Sequence, residues 1–118
     1  MSITIGLDNK YLQLIASGTK IWEGRLNNEK YGSINIGDYV LARSASNSVT
    51  LLIEDKRTYA SFETMLQDQG VDAFLPGDGL GLEDAVEVYR SFPGYRDGEG
   101  NLGAVAFRVK VIRGQTTS

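Results

Sequence analysis

The sequence predicts an α+β fold: a small, mostly antiparallel β-barrel or curled sheet with about three helices packed over its ends. Three observations predict it. Segments rich in β-formers outnumber helical ones. The strands between residues 34 and 59 follow each other closely enough to pair as a hairpin. The helices are inserted between strands and do not alternate regularly with them.

The elements follow in order. Ile3, Ile5 and Leu7 alternate with polar residues, as in a short strand. Asp8 is placed to cap a helix whose apolar positions are Tyr11, Leu12, Ile15 and Ala16, and Gly18 stops it. Residues 20–26 are expected to be extended. Asn27 to Ser33 reads as a loop or a single helical turn, an ordinary surface connection or a flexible lip. Ile34 and Ile36 lead to a Gly37-Asp38 turn. Tyr39 to Arg43 is a strand, Ser44 to Ser48 a hairpin loop, and Val49 to Tyr59 a long strand. Ser61 caps a helix in which Phe62, Met65, Leu66 and Gln69 fall on one face, and Gly70 ends it. Phe74 to Gly81 is an apolar, glycine-rich turn. A helix from about Leu82 to Ser91 turns Leu82, Ala85, Val86 and Tyr89 inward and Glu83, Asp84, Glu87 and Arg90 outward. Pro93-Gly94 and Asp97 to Gly100 predict a mobile loop, Gly103 to Arg113 the last strand, and Gly114 to Ser118 a frayed tail.

The length of 118 residues, with 42% hydrophobic and 23% charged residues, suits one domain over 1–118 with a single core. No apolar run approaches the roughly 20 residues of a membrane helix, and no signal peptide is visible in Met1 to Ile5. A cytoplasmic location without membrane partners is expected. The absence of Cys and His is more restrictive. It excludes disulfides, typical zinc sites and Ser-His-Asp or Cys-His nucleophiles. Acid–base chemistry must rest on Glu, Asp, Lys or Tyr. No metal motif and no phosphate-cradling glycine fingerprint is present, so no cofactor is expected.

The net charge of −3 argues against strong non-specific binding of nucleic acid. The charge is uneven, however. From Glu63 to Glu99 nine acids accompany two bases, a net −7, and the rest of the chain is +4. Either the acids simply line solvated helix faces, or the basic part carries an RNA-facing patch.

That basic part contains the most unusual stretch, Gly18-Thr19-Lys20-Ile21-Trp22-Glu23-Gly24-Arg25-Leu26. Alternation puts Lys20, Trp22, Gly24 and Leu26 on one side and Ile21, Glu23 and Arg25 on the other. Both sides are mixed. An exposed edge strand with a Glu23–Arg25 ion pair is one reading, and a cleft wall with charges converging on a polar ligand is the other.

The same stretch matches in full the G-x-K-x-x-E-x-R hallmark that follows the first helix of ASCH domains, small barrel modules of the PUA-like superfamily. Glu29-Lys30, Gly37-Asp38, Tyr59, Ser61-Phe62, Met65-Leu66, Leu75-Pro76-Gly77, Tyr89-Arg90 and Gly103 to Ala106 extend the resemblance over almost the whole chain, especially to compact stand-alone prokaryotic members. The resemblance implies a PUA-like pseudo-barrel with a cleft lined by the hallmark strand. It implies RNA or a small modified nucleoside or nucleotide as partner, and it leaves the oligomeric state open. Some members of the family are hydrolases. One group resembles an amidohydrolase of N4-acetylcytidine that uses a Lys, a Thr and a Glu. The Lys carries over to Lys20 and the hallmark Arg to Arg25, whereas the Thr position holds Glu23. The acid's region falls near Phe74 to Asp78, with Asp78 the nearest carboxylate. Other members resemble ribonucleases built on Lys, Tyr and Ser, for which Lys20 and Tyr89 are available.

The candidate ligand-binding residues are therefore Lys20, Glu23, Arg25, Tyr89 and Trp22, with Lys20 and Glu23 as the catalytic candidates if the protein is an enzyme. Lys20 suits a phosphate or carbonyl contact, or a base if burial and Arg25 lower its pKa. Glu23 can accept from an amino group or orient its basic neighbours. Arg25 suits bidentate phosphate or carboxylate binding. Trp22 is a stacking surface or a core residue, and Tyr89 a core residue with its hydroxyl in the cleft. Arg57 and Tyr59 are lesser candidates. A binding module is the first reading; a metal-independent hydrolase of a modified nucleoside, or a ribonuclease, is the alternative.

Overall fold

The computed structural model describes residues 3–116, with side chains described through residue 112. Eleven elements follow in the order β1 (Ile3–Gly6), α1 (Asn9–Ala16), β2 (Trp22–Leu26), α2 (Glu29–Gly32), β3 (Tyr39–Arg43), β4 (Asn47–Tyr59), α3 (Phe62–Gln69), α4 (Val71–Phe74), α5 (Leu82–Arg90), α6 (Tyr95–Leu102) and β5 (Ala104–Thr116). The strands form one mixed sheet in the order β1-β3-β4-β5-β2, with only the β1–β3 pairing parallel. It curls into a half-barrel, and the α+β expectation holds. Among the described residues, no helix is long and apolar enough to cross a membrane.

Two core clusters lie on opposite faces of this sheet. The barrel interior collects Ile5, Leu12, Ile15, Ile34, Val40, Leu51, Ile53, Val105, Phe107 and Val109. The outer face packs Trp22, Leu26, Ala104 and Ala106 against Phe62, Met65, Leu66, Phe74 and Tyr89 of the helices. β2 and β5 are thus covered on both faces. This is why residues 22–26 carry no plain polar face. Register shifts in β4 at Thr50/Leu51 and Ile53/Asp55 bend that 13-residue strand, as bulges do where a sheet curls.

Among the described residues, six helices stand where about three were expected. The expected α1, α3 and α5 are present. Gly18, at φ +82°, ends the first as its sequence predicts, although Asp8 makes no side-chain capping bond. Ser61 and Thr64 form a reciprocal capping box at the start of α3. The short α2 is the predicted single turn, capped by the Asn28 side chain accepting from the Tyr31 amide. A further turn, α4, precedes Leu75.

Two predictions fail. The glycine-rich 95–102 segment is a helix and not a mobile loop. A Cβ at Gly98 would lie 2.9 Å from the Leu26 side chain, so this glycine permits close packing of α6 on β2. Glu99 is buried, accepts from the Phe62 amide at 2.8 Å and from Arg90 Nε at 2.7 Å, and ties α6 to α3 and α5. The predicted frayed tail is also strand through Thr116, because Asn47, Ser48 and Val49 of β4 supply ladder partners for Thr116, Gln115 and Gly114. The last two residues of that predicted tail lie outside the described residues.

Candidate functional site

β1 and β2 are the two outer strands of the half-barrel. Arg25 on β2 spans the gap between them, donating from Nη2 to the Gly6 carbonyl of β1 at 3.0 Å. A cleft of about 450 Å³ opens beside this strap. Its polar wall is Lys20, Glu23, Gly24 and Arg25. Tyr11 from α1, Tyr89 from α5 and Tyr95 from α6 project into it, and Leu75, Phe92 and Pro93 make its apolar rim. Such a mixture of aromatic walls with a few converging polar groups is typical of small-molecule sites.

Three charges are packed together in the polar wall. Lys20 is 1% exposed. Its Nζ donates to the Trp22 carbonyl at 2.6 Å and to the Phe74 carbonyl, and lies 3.6 Å from Glu23 Oε1. Those three neighbours match the three protons of an ammonium. Arg25 donates from Nη1 to Tyr31 Oη at 2.8 Å and places Nη2 3.4 Å from Glu23 Oε2. Its guanidinium also lies over the Tyr31 ring, 5.1 Å from the centroid. Glu23 Oε1 accepts from the Gly24 amide at 3.2 Å. Both cations are therefore engaged with protein groups, and the carboxylate sits between them.

Among the described residues, two buried side-chain polar atoms have no hydrogen-bond partner: Glu23 Oε2 and Tyr89 Oη. Both residues line the cleft. Native buried polar groups are nearly always paired, so two atoms without hydrogen bonds in one cleft set it apart from the rest of the interior.

Burial pushes the Lys20 ammonium below the ordinary lysine value. Glu23 opposes this and Arg25 adds to it. For Arg25, burial is the largest single influence and disfavours the charge, but the Glu23 carboxylate together with Tyr31, Tyr95 and Tyr89 outweighs it, and the pKa is raised. Burial, followed by the Glu23 charge, pushes the Tyr89 hydroxyl well above its ordinary value. It is therefore a neutral phenol at physiological pH, able to donate. Tyr11 is pushed up to about 12, by burial first and then by its hydrogen bond to Asp78.

Of the sequence-predicted residues, Lys20, Glu23, Arg25 and Tyr89 meet in the cleft. Trp22 does not line it. The residue is 5% exposed, and its ring packs against Phe74 at 6.2 Å and carries Arg57 above it at 5.5 Å. Tyr59 and Arg57 belong to a separate surface group with Asp68 and Asp55. Asp78 meets the site only through Tyr11, whose Oη donates to it at 2.7 Å. Sequence reasoning missed Tyr11 and Tyr95. Tyr11 sits at a helix position that reads as core, and the only available signal was its polar tip. Tyr95 fell in the segment read as a mobile loop. Among the described residues, no group of three or more His, Cys, Asp or Glu side chains is placed to hold a metal ion.

The family profile described as ASCH domain matches residues 5–112. The crystal structure of hypothetical protein PH0355 superposes with a TM-score of 0.85 at 34% identity, covering 95% of this chain and 100% of the other. The solution structure of protein PF0455 from Pyrococcus furiosus gives 0.77 at 30% identity, over 96% and 99%. A mutant of ZmASCH from Zymomonas mobilis gives 0.63 at 15% identity, over 98% and 73%, which shows a shared fold. Among curated proteins none matches.

Proposed function

The chain belongs to the ASCH domain family, and we propose that it is a binding module taking one unstacked base, from RNA or as a free modified nucleoside or nucleotide, into the Lys20–Glu23–Arg25 cleft. The observation that carries this reading is the Glu23 carboxylate, buried between two cations with Oε2 accepting no hydrogen bond. The cleft volume of about 450 Å³ suits a nucleoside-sized ligand. The aromatic lining suits a planar ring, and single-stranded or extruded bases are what RNA modules take up in this way. Glu23 is the ligand contact here. Lys20 and Arg25, each already engaged with protein groups, hold it in place. The PUA-like family's frequent link to RNA binding supports the same direction. Trp22 is left to the core.

Calorimetric titration with nucleosides and short single-stranded RNAs tests the reading. Saturable binding that is lost in Glu23→Ala supports it. Absence of binding at millimolar concentrations sinks it. One observation favours a second reading, a metal-independent hydrolase. Lys20 is a buried amine of lowered pKa beside a carboxylate, as acid–base catalysis requires. Turnover of an acylated nucleoside or of RNA, abolished in Lys20→Ala, would replace the binding-only reading with this one.

A further inference from the structure

The free edge of β2 carries a third unpaired group that no side-chain inspection reveals. In the ladder with β5, the Val109 amide donates to the Ile21 carbonyl and the Asn27 amide to the Gly103 carbonyl. The register pairs Glu23 with Phe107 and Arg25 with Val105. Hydrogen-bonded pairs alternate along an antiparallel ladder. Residues 21, 23, 25 and 27 therefore bond to β5, and Trp22, Gly24 and Leu26 turn their backbone groups to the free edge. The outward Trp22 carbonyl takes Lys20 Nζ and the outward Leu26 carbonyl takes the Asn28 amide. Between them, the Gly24 carbonyl has no partner among the described residues, and Gly24 is buried and lines the cleft.

The two orphaned side-chain atoms gather around this residue. Glu23 folds back along the edge, with Oε1 on the Gly24 amide at 3.2 Å. Tyr89 Oη lies 3.0 Å from where a Gly24 Cβ would be, so only glycine leaves it that place. The free hydrogen-bonding capacity here is thus two acceptors, Glu23 Oε2 and the Gly24 carbonyl, and one neutral phenol.

Resting on the binding function proposed above, we infer that the ligand meets the β2 edge with a primary amino group. Its two hydrogens go to Glu23 Oε2 and the Gly24 carbonyl, and Tyr89 Oη donates to the ring nitrogen beside it. The ligand class is an amino-bearing base of the cytosine or adenine type. Uracil and hypoxanthine present a carbonyl oxygen where these bases carry the amino group, and that oxygen would face two acceptors. Gly24 is the positioning residue that sets this selectivity.

The test compares cytidine with uridine and adenosine with inosine, then runs cytidine against N4-methylcytidine and N4,N4-dimethylcytidine. Amino-bearing members bind about tenfold or more tightly than their oxo partners, within the usual worth of a two-point base contact. Affinity falls with each methyl as one hydrogen and then the other is removed. Tyr89→Phe keeps the fold, because its hydroxyl has no protein partner, and loses about tenfold in cytidine affinity with little change for uridine. Gly24→Ala, if it folds, loses the amino preference. Equal affinity for amino and oxo partners overturns this inference and leaves the binding function standing. Absence of binding by every nucleoside overturns both.

Discussion

Replacing Lys20 by Met is the perturbation that most directly tests how the cleft wall is held together. Methionine approximates the lysine stem and removes the charge and all three donors. The Trp22 and Phe74 carbonyls are left buried without their Nζ partner. Each such orphan costs about 1–3 kcal/mol. Glu23 keeps Arg25 at 3.4 Å, so the 3–5 kcal/mol typical of breaking a buried pair is an upper limit for that contribution. Methionine has no charge to desolvate, and this offsets part of the loss. A net destabilisation of about 3 kcal/mol is expected, a substantial share of the roughly 5–15 kcal/mol that holds a domain folded. Urea titration followed by circular dichroism measures it, with an unchanged m-value confirming that the same surface unfolds. The variant carries a pH signature as well. Lys20 has a lowered pKa in the folded protein and the ordinary 10.5 in the unfolded chain. Between those two values the unfolded state binds the extra proton, so stability rises with pH across that window. Lys20→Met abolishes this rise. Above pH 10 the tyrosines act oppositely. Tyr11, at about 12 when folded, ionises first in the unfolded chain, and stability falls. A Lys20→Met protein as stable as the wild type, with the same pH profile, would refute the account of Lys20 as the member that completes the buried frame.

Arg25→Leu removes the strap to Gly6 and the bond to Tyr31; a loss of about 2–4 kcal/mol is expected, and amide exchange should report it as faster exchange in β1. Gly103→Ala must fit a Cβ 2.3 Å from the Tyr59 carbonyl oxygen at φ +71°. A loss of more than about 3 kcal/mol is expected in thermal unfolding, and a near-neutral result would contradict the packing of the β4–β5 end. Arg90, with the Phe62 amide, holds the Glu99 carboxyl below its ordinary value of 4.5 against the effect of burial. Its contribution is present above pH 4.5 and is lost as pH falls through the folded value, so Glu99→Gln should flatten the acid limb of the stability profile. Oligonucleotide binding should weaken with salt no more steeply than one phosphate contact implies, a slope of about −0.7 in log–log form for a single strand; a slope of −1.4 or steeper would show that Lys20 and Arg25 contact phosphates after all.

Much of this molecule is legible in its residues, and the illegible part has a physical pattern. Local signals read correctly wherever local bonds decide: Gly18 at its positive φ, the Ser61 cap, and the Gly37-Asp38 turn with a bond from Gly37 to Ile53. The hallmark stretch was readable as a cleft wall through its resemblance to the ASCH family, whereas alternation alone gave a mixed strand. What misled was composition at 94–102. Three glycines read as mobility there, yet Gly98 is a contact with Leu26 and Gly94 enters the helix from a left-handed turn. Tertiary packing overrides the intrinsic weakness of a glycine-rich helix when an acid such as Glu99 is anchored from two other elements. The same override hid Tyr95 from the list of cleft residues. Arg25 shows the converse. Its type suggests a phosphate clamp, but the open seam between β1 and β2 uses its donors first, and no sequence pattern announces that seam.

The arrangement of charges fits the role proposed above for the hallmark residues. A carboxylate with a single cation beside it is free to turn its second oxygen toward that cation or toward water. Glu23 is held from both ends, with Lys20 and the Gly24 amide at Oε1 and Arg25 near Oε2, and the residue is 5% exposed. It cannot rotate to satisfy Oε2 without breaking another contact. Oε2, ion-paired with Arg25 at 3.4 Å but accepting no hydrogen bond, therefore carries part of the roughly 1–3 kcal/mol penalty of an unsatisfied polar atom in the unliganded protein. A ligand that supplies the missing donor recovers that energy and needs no rearrangement of the frame, which is the physical content of preorganisation. Substitutions then sort by mechanism. Changes at Lys20 or Arg25 loosen the frame and should lower stability and affinity together. Tyr89→Phe deletes an orphaned hydroxyl and should lower affinity alone. A variant series in which stability and affinity move in parallel at all three positions would place Tyr89 in the frame and remove the distinction on which this reading of the motif depends.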